Sequence, residues 1–170
     1  MNYFRYTLYL IISLSILSGC RPGKSKELAS IDAVKLKSIL ESNLGNDVIL
    51  HYWATWCTNC KPGLKSLGDL QKRYHKENFK VIAVSVDDPG NEIKRALVQY
   101  LYAESGDYAG QYIAKPGQTE NLMKVVDSKW AEVVPLSYLI NQKGSMVKRF
   151  IGARAMKELV HAVQMIHPPE

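Results

Sequence analysis

His51-Tyr52-Trp53-Ala54-Thr55-Trp56-Cys57-Thr58-Asn59-Cys60-Lys61-Pro62 is the stretch on which the reading of this chain turns. Two cysteines stand two residues apart, directly after a short aromatic run and directly before a helical pattern. The spacing puts Cys57 where a strand gives way to a helix. There the unpaired backbone N–H groups of the first turn favour thiolate over thiol, and Lys61 adds a positive charge nearby. Cys60 falls one helical turn further on, on the same face and within disulfide reach. A thiolate that attacks a partner's disulfide can then be released by its neighbour. The pair also admits a structural disulfide or half of a zinc site, but zinc needs two further Cys or His ligands at suitable spacing. Only Cys20 remains, and it has another use. The residues favour a redox dithiol.

Working outward, residues 48–53 form a continuous apolar and aromatic run, as expected of a strand buried on both faces. Leu64, Leu67, Leu70 and Tyr74 recur on one side of the helix that follows. Pro62 is tolerated because it falls in the first turn. Residues 81–87 make the next strong strand, closed by Asp88-Pro89-Gly90. Strand, crossover helix and strand imply a parallel pair. Upstream, Ser30 is read as the cap of a helix reaching Ser42, which Gly45-Asn46-Asp47 breaks. Downstream come a helix over 92–103, a short strand over 111–114 and a helix from Thr119 to about Asp127. Strands at 136–141 and 145–150 meet at Gln142-Lys143-Gly144, a hairpin signal. The last helix, over 154–166, carries Met156, Leu159, Val160, Val163 and Ile166 on one face. The pattern predicts an α/β domain with a mixed central sheet and helices on both faces.

The N-terminus reads as an export signal over residues 1–19: Arg5, an apolar run over 8–17, then small residues before Cys20. The run is too short and too close to the terminus for a comfortable spanning helix. Leu17-Ser18-Gly19-Cys20 resembles the bacterial lipobox, which implies that Cys20 is lipidated and becomes the mature N-terminus. An uncleaved signal anchor is the alternative. Either case puts the dithiol outside the cytoplasm on a membrane tether, and several acyl chains suffice for stable anchoring. Residues 20–29 are then a lipidated cysteine and a polar linker, and residues 30–170 one domain large enough for a substantial core. The 22 Lys and Arg against 16 Asp and Glu give a charge of +6. Losing Arg5 with the signal leaves 21 − 16 = +5. Lys72-Arg73 and Lys148-Arg149 are short clusters that suit solvated faces, so no nucleic-acid partner is expected.

The run Tyr52-Trp53-Ala54-Thr55-Trp56-Cys57, with Cys60-Lys61, resembles the active site of the thioredoxin superfamily. It is most similar to the membrane-anchored TlpA/ResA/CcmG branch. Val133-Val134-Pro135-Leu136-Ser137-Tyr138-Leu139-Ile140, followed by Asn141-Gln142-Lys143-Gly144, resembles that family's cis-proline loop, next strand and tight hairpin. The likeness covers about residues 30–166. It implies a thioredoxin fold with a short βα insertion, and a cis bond before Pro135 on a loop lying against the dithiol. It also implies that Val134 pairs its backbone with an extended partner chain, a mode with weak side-chain specificity, and that Trp56 stands at the rim. Cys57 would attack and Cys60 resolve, with no metal or organic cofactor. In this branch the inserted region lies beside the site and can carry a functional acid; Glu104, Asp107, Glu120 and Asp127 are the candidates. Two positions depart from the pattern. Asn59 stands where Pro is usual. His51 stands where thioredoxin has a buried acid that moves protons for the second cysteine. A histidine can shuttle protons near neutral pH; a strand histidine can equally be a hydrogen-bonded core residue.

The resemblance implies a thiol–disulfide oxidoreductase acting on thiols and disulfides of exported proteins, apocytochrome c among them, and kept reduced by a membrane thiol–disulfide donor. The opposite direction, an oxidase or isomerase, is compatible with the same CxxC and proline. A copper-binding chaperone on this fold usually has wider cysteine spacing and an added histidine ligand. A peroxidase is disfavoured because the residues before Cys57 lack the peroxidatic pattern.

Overall fold

The computed structural model describes residues 28–129, 133–153 and 155–168. At its centre lies β2 (Asp47–Trp53), buried along its whole length. It runs parallel to β3 (Phe79–Ser85) and antiparallel to β5 (Leu136–Ile140). Outside these, β4 (Gly110–Ala114) pairs parallel with β3, and β1 (Ala29–Ile31) with β4. The antiparallel β6 (Met146–Ile151) closes the other edge, giving the order β1-β4-β3-β2-β5-β6.

The apolar run of β2 feeds two cores, because successive side chains point to opposite faces. Ile49 and Trp53 face a cluster with Leu64, Leu67 and Leu70 of α2 (Lys61–Arg73), Val98 and Leu101 of α3 (Glu92–Ser105), and Leu159 and Val163 of α5 (Ala155–Ile166). Val48, Leu50 and Tyr52 face the other cluster. There they meet Leu36 of α1 (Ala33–Ser42) and Leu122 and Met123 of α4 (Thr119–Lys124). Both cysteines of the dithiol belong to the first cluster.

Several boundaries differ from the sequence reading. Ser30 is no cap; it sits in β1, and Asp32 caps α1 by accepting from the Lys35 N–H at 2.8 Å. A hydrogen bond from the Lys115 ammonium, 2.6 Å away, holds the Asp32 carboxyl below its ordinary pKa. Leu28 is buried in the first core and Ala29 opens β1, inside the stretch read as linker. The helix expected to reach Asp127 ends at Lys124. Asp127 instead turns to receive Arg149 Nη1 of β6 at 2.6 Å and the Lys129 N–H at 2.9 Å. β3 stops at Ser85, and α3 continues to Ser105. Arg154, the expected start of the last helix, lies outside the described residues.

α2 and α3 approach closely because Gly68 has no side chain. A Cβ there would stand 1.8 Å from the Ser105 carbonyl oxygen. The β5–β6 hairpin turns at Gly144, with φ +79°. Its closure is fixed by the Asn141 side chain, which accepts from the Lys143 and Ser145 N–H groups.

Candidate active site

Beyond the end of β2 the chain makes two successive turns before α2. The Cys57 N–H donates to the Ala54 carbonyl at 3.2 Å and the Cys60 N–H to the Cys57 carbonyl at 3.0 Å. Cys60 is the N-cap of α2, and the Leu64 N–H donates to its carbonyl at 3.1 Å. The sequence reading put Cys57 at the helix terminus. It lies one turn earlier, because the helix starts only at Lys61, with Pro62 in the first turn where its missing N–H costs nothing. Cys57 and Cys60 are joined in a disulfide, with Cα atoms 5.4 Å apart. Cys57 keeps 8 % of its surface exposed and Cys60 none, so an external sulfur can reach the first more readily than the second.

A buried carboxylate, which the sequence reading did not single out, pins the loop ahead of the dithiol. Asp87 accepts from the Thr55 N–H at 2.8 Å, the Thr55 hydroxyl at 2.6 Å and the Ser85 hydroxyl at 2.7 Å. The Val86 N–H adds a bond to the Trp53 carbonyl at 2.8 Å. Trp53 is fixed from below: its indole N–H donates to the Tyr102 hydroxyl at 2.9 Å, and that hydroxyl reaches the Ala83 and Tyr112 carbonyls. Trp56, three residues on, is 64 % exposed.

The Val134–Pro135 bond is cis, and the Val134 carbonyl oxygen lies 3.7 Å from the Cys57 sulfur. In the disulfide that sulfur carries no proton, so this is a contact that a thiol could turn into a hydrogen bond. Beside it runs a groove of about 340 Å³ lined by Trp56, Val86, Thr119, Glu120, Met123, Val133 and Val134. Of the four candidate acids only Glu120 lines this groove, and its carboxylate pairs with Lys124. Asp127 is buried against Arg149. Glu104 and Asp107 border a different depression, between α2 and α3, with Lys65, Lys72 and His75. Lys61 is exposed at the first position of α2. Cys20 and Trp130 lie outside the described residues.

His51 sits opposite Ser137 in the β2–β5 ladder, fully buried. Its Nδ1 is 2.8 Å from the Ser137 hydroxyl, and its Nε2 has no hydrogen-bond partner. Alternation along β2 places it on the same face as Ile49 and Trp53, the face of the cysteines. Burial pushes its pKa down to about 3. At neutral pH the ring is uncharged, able to accept a proton only at considerable cost. Among the described residues no group of three or more His, Cys, Asp or Glu stands together as a metal site.

A cysteine pair at the carboxyl end of the central strand of a mixed sheet, in contact with a cis-proline loop, defines a protein of the thioredoxin-like class. Residues 24–149 match the AhpC/TSA family, and the chain belongs to that family. It is 24 % identical over 124 residues to the thiol-disulfide oxidoreductase ResA of Bacillus cereus, a match covering 73 % of this chain and 65 % of that protein. The chain thus spans a little under two thirds of the length of the curated relatives it matches. Among solved structures, it resembles a candidate thiol:disulfide interchange protein DsbE from Chlorobium tepidum, with a TM-score of 0.58 and 23 % identity. That likeness covers 75 % of this chain and 83 % of the other. It also resembles StoA from Bacillus subtilis, with a TM-score of 0.51 and 24 % identity, over 70 % and 83 % of the two chains. These likenesses establish the thioredoxin fold. No described helix is long and apolar enough to cross a membrane.

Proposed function

We propose that this protein is an extracytoplasmic thiol–disulfide oxidoreductase that reduces disulfides of exported proteins by dithiol exchange. The observation that carries this reading is the unequal placement of the bonded pair. Cys57 stands at the edge of an apolar groove, and Cys60 is buried behind it. In the reduced form the Cys57 thiolate attacks one sulfur of a substrate disulfide. That S–S bond breaks, one substrate sulfur leaves as a thiolate and takes a proton, and Cys57 is joined to the other. Cys60, having lost its proton, then attacks the Cys57 sulfur and releases the second substrate thiolate. Two electrons have passed to the substrate, and the Cys57–Cys60 disulfide is formed. A membrane thiol–disulfide donor returns the electrons by the same exchange. The chemistry runs on sulfur alone, so no metal or organic cofactor enters a step.

Val134 offers its backbone beside the attacking sulfur, and Trp56 and Met123 give an extended substrate apolar contact. Pro135 sets the course of that loop, and Lys61 is the cation nearest in sequence to the pair. The lipobox-like residues before Cys20 support a lipid tether on the periplasmic face of a bacterial membrane. The TlpA/ResA/CcmG likeness supports apocytochrome c thiols as one substrate.

Trapping tests the assignment. A Cys60→Ser variant of the full chain should accumulate mixed disulfides with partner proteins on non-reducing gels, and a Cys57→Ser variant should not. Equal trapping by both would remove the assigned roles. A reduction potential near about −270 mV supports the reductase, and one near about −120 mV would reverse the direction.

A further inference from the structure

α3 is apolar on both sides. Val98, Leu101 and Tyr102 are buried against the sheet. On the opposite side Ile93, Leu97 and Tyr100 recur at i, i+4 and i+7, with exposed Ala96 and Ala103 beside them. Ile93 is 81 % exposed and Tyr100 59 %. A crossover helix of a soluble domain normally turns charged residues outward there. A contiguous exposed apolar strip marks a surface that meets something.

The path of the chain indicates what it meets. The carbonyl of Leu28, the first described residue, accepts from Arg95 Nη2 at 2.9 Å, while Arg95 Nη1 donates to the Ser30 hydroxyl at 3.2 Å. Arg95 belongs to α3, so the entering chain is clamped to the flank of this helix. Cys20 lies eight residues before Leu28, at most about 27 Å of extended chain, and a helix is about 10–12 Å across. A second exposed apolar group among the described residues, Met146, Val147 and Ile151, lies on β6 at the far edge of the sheet, and exposed Met165 and Ile166 end α5. Five strand spacings separate the two edges, about 24 Å. The tether therefore attaches beside α3 and at the edge opposite β6, so a lipid on Cys20 brings α3 to the bilayer ahead of β6.

We propose that the Ile93–Leu97–Tyr100 face of α3 seats in the headgroup region of the membrane that holds the Cys20 lipid, so that the domain docks on its side. This inference rests on the reading of Cys20 as the anchor. Along α3, Glu92 and Glu104 balance Lys94 and Arg95, so attraction comes from apolar burial. Docking on neutral phosphatidylcholine should therefore change little with salt. Ile93 lies in the first turn of α3, which follows β3, and Cys57 follows the parallel β2, so both stand at the same end of the sheet. Docking fixes the dithiol at a set height above the membrane, where a membrane donor must reach it.

The test uses the full acylated chain in phosphatidylcholine vesicles with brominated acyl chains, which quench nearby tryptophan. Ile93→Trp should add emission that is largely lost in these vesicles. Val147→Trp should add emission as bright as in unbrominated ones. Equal quenching at both positions, or none at position 93, overturns the proposal. A dimer in detergent together with no quenching gives the face to a second copy and also overturns it. Tyr100→Glu, exposed and so compatible with folding, should restore fast hydrogen exchange at the outer amides of α3 on vesicles; unchanged exchange would count against docking. Labelled fatty acid on Cys20 is measured in the same preparation. Label without quenching at position 93 sinks this proposal alone, and absence of label sinks the anchor with it.

Discussion

Burial holds the His51 imidazole neutral, with its pKa pushed down to about 3, whereas an unfolded chain binds that proton near 6.5. Above pH 6.5 neither state holds the proton, and the stability tied to this group is fully present. As pH falls through 6.5 toward 3, the unfolded chain takes up a proton that the fold refuses, and stability declines by up to about 1.4 kcal/mol per pH unit. Urea midpoints between pH 7 and 4 should therefore fall faster for the wild type than for His51→Gln. Parallel curves would mean that the ring is protonated within the fold. Asp87 gives a second prediction. Asp87→Ala strands the Thr55 N–H and two hydroxyls, at a cost of about 1–3 kcal/mol, and frees the loop ahead of Cys57. The urea midpoint should drop, and alkylation of the reduced Cys57 should quicken; a variant as stable as the wild type would remove Asp87 from this role. The places of Trp56, Val134 and Pro135 beside the cysteines came from the family resemblance, whereas the Cys57–Cys60 pair was legible in its spacing. Asp87 was not, because its partner Thr55 lies thirty-two positions away and a side chain bridging a strand end to a loop has no period.

Gly68 shows how one element constrains the next. Alanine normally stabilises a helix over glycine by about 1 kcal/mol. Here its Cβ would fall 1.8 Å from the Ser105 carbonyl oxygen, which is backbone and cannot swing aside. Forcing α2 and α3 apart costs about 1–3 kcal/mol, so Gly68→Ala should lower the melting temperature despite its better propensity. A rise in melting temperature would show the two helices free to separate. β2, β3, α2 and the β5–β6 hairpin were read to within a few residues, since each has a strong period or a turn signal of its own. β1 was not read at all. Three residues are too few to show alternation, and Ser30 before a helical pattern imitates a cap. The helix α4 was drawn too long for a related reason: Asp127 extends the pattern on paper, but its bond to Arg149 draws the chain out of the helix.

For the whole molecule, the tether is the reading with the widest consequences. Labelled fatty acid should enter the wild type and be absent from Cys20→Ala, and that variant should leave the membrane fraction; unchanged labelling would sink the lipoprotein reading. The α/β class and the two-faced helical cover were legible, because the apolar runs and crossovers sit in order along the chain. The closing of the sheet at its β1 edge was not, because that pairing joins Ala29 to Tyr112, 112 − 29 = 83 positions apart. That separation also sets an order in time. β1 is made before β4 and has no partner strand until β4 exists, and contacts so distant along a chain are slow to form. The edge of the sheet nearest the N-terminal end is thus among the last to close, and until then β4 presents an unpaired strand edge.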